Sequence, residues 1–228
     1  NAVDAAVAVG YALAVVYPAA GNLAGGGFMT LQLADGKRTF IDFRETAPGA
    51  ATASMYLDAN GDVIPGLSTR GHLAVAVPGT VAGLEYTRAR YGTLARARLI
   101  DPAIRLAERG FVLAQGDVDM LLDGTEDFRK DPASAAIFLN RGQPFAAGAT
   151  LIQKDLARTL RHIRERGADG FYKGPTAAAL LASSRAGKGL LTQADFDTYE
   201  PRELAPVECD YRGFRIVSAP PPSSGGVV

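Results

Sequence analysis

An α+β fold is what this sequence predicts, on three observations. The chain opens on an apolar run of helical character, and two alternating stretches around an Asp-Gly pair follow at residues 28–44. Helix-spaced apolar residues then occupy much of residues 75–200, before short strands return near the end.

The opening run, NAVDAAVAVGYALAVV, is apolar on every side, which predicts a core helix covered by other layers. It is not read as a membrane span or a signal peptide. Asp4 interrupts it, no basic segment precedes it, and a span needs about twenty apolar residues. The chain starts without a methionine, and the expectation is an excerpt of a longer precursor. After Pro18 comes GNLAGGGF, whose three successive glycines allow backbone angles and close approaches that side chains forbid, predicting a tight helix-to-strand turn. FMTLQL and KRTFIDF alternate with period two on either side of Asp35-Gly36, so residues 28–44 read as an antiparallel hairpin. In that reading Ile41 and Phe43 share one face, Asp42 and Arg44 share the other, and Arg44 ends the second strand.

From VPGTVAGLEYTRARYG onward the period becomes helical, as in Pro102 to Arg109 and Leu151 to Arg166. The charges from Asp155 to Arg158 and in RHIRER are assigned to solvated helix faces. ELAPVECDYRGFRIVSA predicts two short strands around Tyr211-Arg212-Gly213, and PPPSSGG breaks regular structure. The expected organisation is helix, glycine turn and core hairpin over 1–50, a mostly helical layer over 75–200, and strands with a proline-glycine loop over 203–228. No internal repeat is evident.

Composition excludes several classes of function. With 228 residues, 47% of them hydrophobic, the chain is globular, and 24 basic against 24 acidic residues leave no net field to draw it to nucleic acid or an anionic membrane. One cysteine, Cys209, excludes an internal disulfide and is read as a small buried thiol near a strand. With His72 and His162 as its only histidines the chain has too few soft ligands for a zinc cluster, and both are read as satisfied surface or core residues with no serine or cysteine to serve. There is no G-x-S-x-G elbow, no phosphate loop around Gly187-Lys188, and no dinucleotide fingerprint, since the glycines at 25–27 precede a strand. No cofactor or metal is expected.

What remains is IDFRETAP, residues 41–48. Arg44 is a planar five-donor fork at a strand end near a glycine-rich turn, an arrangement suited to gripping a carboxylate bidentately. The residues alone equally allow an ion pair of Arg44 with Glu45 or Asp42 that merely holds a loop.

Taken in order, NAVDAAVAV, GNLAGGGFM, IDFRETAP, VAVPGTVAGL with YG at 91–92, PAIRLAERGF, GFYKG, LLTQADFDTYE, and YRGF followed by PPPSSGG resemble the large-subunit part of gamma-glutamyltranspeptidases across essentially the whole chain. Two departures are visible: Ala24 stands where the family commonly has a fourth glycine, and Lys188 interrupts a common glycine pair. The resemblance implies an αββα sandwich of the N-terminal-nucleophile hydrolase type and a precursor that cleaves itself into a large and a small subunit. A threonine, expected beyond Val228, would form an acyl-enzyme with a gamma-glutamyl donor such as glutathione and pass it to water or to an amino-acid or dipeptide acceptor. Thr46 and the other internal threonines lack the free amine and are read as ordinary hydroxyls. By the same resemblance Arg44 grips the donor α-carboxylate, and Glu45 orients that guanidinium or meets the substrate ammonium. Ser223 and Ser224 are assigned to a loop near the subunit junction, and the glycines at 25–27 to packing near the site.

The alternatives implied are a cephalosporin (glutaryl) acylase, a poly-gamma-glutamate transpeptidase, and a maturation-defective paralogue without activity. The expected partner is the protein's own small subunit, with no nucleic acid and no membrane span. An alanine-rich chain with 19 arginines against 5 lysines suggests a GC-rich bacterial source, for which the family implies a periplasmic or secreted location.

Overall fold

The computed structural model describes residues 1–226; the expected terminal segment runs to 228, and its Val227 and Val228 lie outside the described residues. In chain order the helices are α1 (Ala2–Val16), α2 (Thr80–Tyr91), α3 (Arg96–Arg109), α4 (Gln115–Asp123), α5 (Thr125–Lys130), α6 (Pro132–Phe138), α7 (Lys154–Arg166), α8 (Asp169–Tyr172), α9 (Gly174–Ala186) and α10 (Gln193–Thr198). The strands are β1 (Phe28–Gln32), β2 (Arg38–Asp42), β3 (Phe111–Val112), β4 (Thr150–Leu151), β5 (Arg202–Leu204), β6 (Val207–Tyr211) and β7 (Phe214–Ser218). Two compact units result, one from Asn1–Asn22 with Tyr91–Gly170, the other from Leu23–Arg90 with the residues from Phe171 onward.

The first unit is mostly helical, with the two-stranded sheet β3-β4. Helices α1, α3 and α7 pack together. α1 contributes Val3, Val7, Tyr11, Ala14 and Val15, α3 contributes Leu99, Ile100, Ala103, Ile104 and Ala107, and α7 contributes Ala157, Leu160 and Ile163, each set at helical spacing. Asp4 is buried. It closes a capping box with Asn1 and also accepts from the Thr93 and Leu94 N–H groups and the Thr93 hydroxyl, so this carboxylate ties the start of α1 to the chain that leads into α3. At the far end of α1 the buried Gln153 amide donates to the Val15 carbonyl at 2.8 Å.

Two expectations are corrected here. α1 is not buried all round: Val3, Val7, Tyr11 and Val15 form the buried stripe, while Val9 and Leu13 on another face are 53% and 40% exposed. α3 does not begin at Pro102 but runs through it from Arg96. Leu99 and Ile100 extend the buried stripe backwards, and that burial offsets the hydrogen bond proline cannot donate.

The second unit holds the three-stranded antiparallel sheet β1-β2-β5. Phe28 pairs with Asp42 and Gln32 with Arg38, around a turn in which Lys37 N–H reaches Asp35 Oδ1 at 2.9 Å. β2 is the central strand, and Phe40 and Ile41 are both fully buried, so its two faces are covered where β1 has one face open. The connection before β1 is not a tight turn: residues 17–27 form no helix or strand. The Gly25 carbonyl in it accepts from both Gly79 N–H (2.7 Å) and Thr80 N–H (2.9 Å), which caps the orphan amides at the start of α2.

β6 and β7 form the expected second hairpin, with Tyr211 opposite Phe214. β5 is a strand separate from β6, within a stretch whose sequence predicts two strands. Ala205-Pro206 divides them, and β5 turns back to pair with β2, Asp42 opposite Arg202. Cys209 is exposed rather than buried, since the β6-β7 hairpin has little of either face covered among the described residues.

Candidate functional site

Arg44 lies two residues past the end of β2. The ladder extends one pair further through Gly27 and Phe43, with N···O distances of 3.0 and 3.3 Å, and the chain then leaves the sheet. Asp42 and Arg44 therefore do not share a strand face: Asp42 is buried and Arg44 is exposed. Among the described residues no ion pair joins Arg44 to Asp42 or to Glu45. Asp42 is engaged otherwise, its Oδ2 pairing with the Arg202 guanidinium and its Oδ1 accepting from the Arg44 backbone N–H at 3.0 Å.

Arg44 instead lines an open cavity of about 270 Å³. Asp42, Glu45, Thr46, Tyr199, Glu200, Arg202 and Pro222 complete its lining. Beyond Thr46, Tyr199 and Glu200, which line both, lies a second hollow of about 300 Å³ against Gly49, Val77 and Asp195. The PPPSSGG run thus reaches the Arg44 cavity through Pro222, and Ser224 opens a short 3-10 turn.

Backbone packing sets the positions of these groups. A Cβ on Gly26 would stand 2.6 Å from the Phe43 carbonyl oxygen and 2.7 Å from Glu45 N and Oε2, so only glycine lets this segment lie against Phe43–Glu45. A Cβ on Gly79 would meet the Phe43 oxygen and the Tyr199 hydroxyl, both at 2.1 Å. The Tyr199 hydroxyl donates to the Arg44 carbonyl at 2.8 Å. Its ring stacks on Tyr172, at a 6.2 Å centroid distance and 7° between planes, and the Tyr172 hydroxyl donates to the Pro78 carbonyl at 2.8 Å. Burial pushes the Tyr199 phenol well above its ordinary pKa, and the charges of Asp42 and Glu45 add to the effect, so it remains a donor.

Thr46 exchanges backbone hydrogen bonds with Val77, as an ordinary bridge residue. His72, with no serine to serve by the sequence, has its Nε2 3.2 Å from Ser183 Oγ, 111 positions away, on the exposed surface. Among the described residues no set of His, Cys, Asp and Glu is arranged to hold a metal ion, and no helix is long and apolar enough to cross a membrane. Of the residues around Arg44, sequence reading missed Tyr199, Asp195 and Arg202. Their only signal was membership in the LLTQADFDTYE stretch and the residues just after it.

Residues 1–228 match the family model described as Gamma-glutamyltranspeptidase. The chain is 70% identical over 229 residues to the glutathione hydrolase proenzyme of Pseudomonas sp. (strain A14), covering all of this chain and 40% of that protein. It is 42% identical over 233 residues to the acylase ACY 1 proenzyme of Pseudomonas sp. (strain V22), covering all of this chain and 42% of that one. Among solved structures, Helicobacter pylori gamma-glutamyltranspeptidase superposes with a TM-score of 0.97 at 46% identity, over 99% of this chain and 65% of that one. The chain thus spans about two-fifths of the length of the curated relatives it matches. The fold is α+β of the N-terminal-nucleophile hydrolase type, as expected from the sequence.

Proposed function

Because this chain belongs to the gamma-glutamyltranspeptidase family, we propose that it is the donor-binding, large-subunit portion of an enzyme that transfers or hydrolyses gamma-glutamyl groups, with glutathione as a donor. The observation that carries this reading is Arg44, which lines a cavity and makes no ion pair among the described residues. A planar fork with free donors beside a space of this size suits the α-carboxylate of a gamma-glutamyl group. Glu45, on the same rim, faces the donor ammonium. A substrate without the carboxylate leaves the cation unanswered, which selects glutamate over uncharged acyl groups.

In this proposal the acyl-forming threonine comes from the small subunit, released from a common precursor by self-cleavage and retained as the partner in a heterodimer. The large-subunit residues hold the donor so that its γ-carbonyl meets that nucleophile, and water or an amino-acid or dipeptide acceptor then takes the acyl group. In this reading the enzyme works in the periplasm or outside the cell.

A gamma-glutamyl anilide tests the reading. The purified full-length protein should release the chromophore, faster with a dipeptide acceptor present if transfer accompanies hydrolysis. Arg44→Lys should raise KM for this donor at least about tenfold, since an ammonium makes one contact where the fork makes two. An unchanged KM would remove Arg44 from the donor site. The acylase relative supports a second reading, a glutaryl donor, which keeps the carboxylate but lacks the amine. Faster turnover of a glutaryl than of a gamma-glutamyl anilide would establish it.

A further inference from the structure

The stretch from Leu191 to Glu203, LTQADFDTYEPRE, lies outside the proposed chemistry, yet it touches the Arg44 loop at three separate points. Thr192 and Asp195 cap α10 reciprocally, and Asp195 Oδ1 also accepts from the Gly49 N–H at 2.7 Å, downstream of Arg44. Tyr199 donates its hydroxyl to the Arg44 carbonyl. Arg202 pairs with Asp42, whose other oxygen accepts the Arg44 N–H. Both amide groups of Arg44, its N–H and its C=O, are therefore held by side chains, although the residue has left the sheet and has no strand partner.

Such fixing has a physical purpose. A guanidinium on a flexible stem, attached to a mobile loop, loses conformational freedom when it grips a carboxylate, and that loss weakens binding. Anchoring the peptide beforehand removes part of the loss. Tyr199 is itself rigid: its ring is stacked on Tyr172, its hydroxyl sits against Gly79, and burial with two nearby carboxylates keeps it protonated.

We propose that residues 191–203 form a bracket that sets the position of the Arg44 fork, with Tyr199 as a positioning residue for donor recognition. The proposal rests on the reading that Arg44 binds the donor carboxylate. Tyr199 lines the same cavity, but the effect proposed for it passes through its hydrogen bond to the Arg44 carbonyl.

The test uses the full-length, self-cleaved protein and two anilides, gamma-glutamyl and 4-aminobutyryl, the second lacking the α-carboxylate. Tyr199→Phe keeps the stacked ring and removes only the hydroxyl. KM for the gamma-glutamyl donor should rise roughly three- to tenfold, the range for one lost neutral hydrogen bond, with kcat within about twofold. For the 4-aminobutyryl donor kcat/KM should stay constant. In an Arg44→Lys background the same change should move KM by less than about twofold, because both act through one contact.

An unchanged KM in Tyr199→Phe, beside a raised KM in Arg44→Lys, overturns the bracket and leaves the donor site standing. Equal losses on both donors overturn it as well, since a general loosening of the fold would not distinguish them. If Arg44→Lys leaves KM unchanged, the donor reading falls and the bracket with it. Should Tyr199→Phe yield no folded protein, Asp195→Asn loosens the bracket from the Gly49 side and is held to the same donor split.

Discussion

The two hairpins of the second unit are alike in plan and opposite in circumstance. β1-β2 and β6-β7 each join two five-residue strands in antiparallel register. Yet β2 is fully covered at Phe40 and Ile41, with a third strand along its edge, whereas on the second hairpin Phe214 is 74% exposed and Tyr211 and Ile216 also face outward. The difference teaches that an alternating pattern specifies a hairpin but not its surroundings. The first hairpin acquires its role from what grows onto it: β5 beside it, α2 against Phe43, and the Arg44 loop at its end.

The largest expected effect falls on the buried strand. Phe40→Ala should cost about 3–5 kcal/mol in urea unfolding, the usual range for emptying a large aromatic site, and a loss below about 1 kcal/mol would erase the contrast. Gly26→Ala comes next. Its new methyl meets backbone at Phe43 and Glu45, so we expect about 1–3 kcal/mol of destabilisation together with a raised donor KM, because the displaced segment carries Arg44. The same substitution with donor KM unaltered would separate the hairpin from the site.

The tethering carboxylates give a subtler contrast. Burial pushes the Asp195 carboxyl up, but hydrogen bonds from Gly49 N–H, the Thr192 hydroxyl and Thr192 N–H outweigh this, and its pKa lies below the ordinary aspartate value. A depressed acid stabilises the fold fully above the unfolded value of about 4, and this contribution is lost as pH falls through the lower folded value. Asp195→Asn should therefore reduce stability at pH 5–7 and flatten the acid limb below pH 4; an acid limb identical to the parent's would deny Asp195 that part. On the second hairpin Arg215 bridges Glu208 and Asp210 at the surface, where salt screens the attraction. The smallest effect is expected at Phe214→Ala, within about 0.5 kcal/mol if the side chain stays in water. A clearly larger loss in the full-length protein would show that this face is covered there.

How much of this was legible in the sequence depended on the range of the forces involved. Both hairpins could be read because alternation and the turn pairs Asp35-Gly36 and Arg212-Gly213 are local signals. α7 was readable from its apolar spacing, but the start of α3 was hidden by Pro102, a residue that ordinarily marks a helix start. β5 was invisible because three residues before a proline make no pattern, and its partner β2 lies some 160 positions earlier in the chain. Arg44 was singled out by its chemistry and by the family motif. Tyr199 and Asp195 were not, because a phenol and a carboxylate in a short helical segment look ordinary until the fold brings them to carbonyl 44 and amide 49.

The carbonyl of Gly25 receives two amides at once, those of Gly79 and Thr80. In deuterated water this makes the pair a single clock. Neither proton can exchange until the glycine segment lifts away from the first turn of α2, so both should show one common opening free energy once each amide's intrinsic rate is divided out, set by that opening rather than by separate fraying of a helix end. Because Gly26 and Gly27 of the same segment lie against Phe43 and Glu45, that opening reports the loosening of the floor beneath Arg44 in a protein whose side chains are all intact.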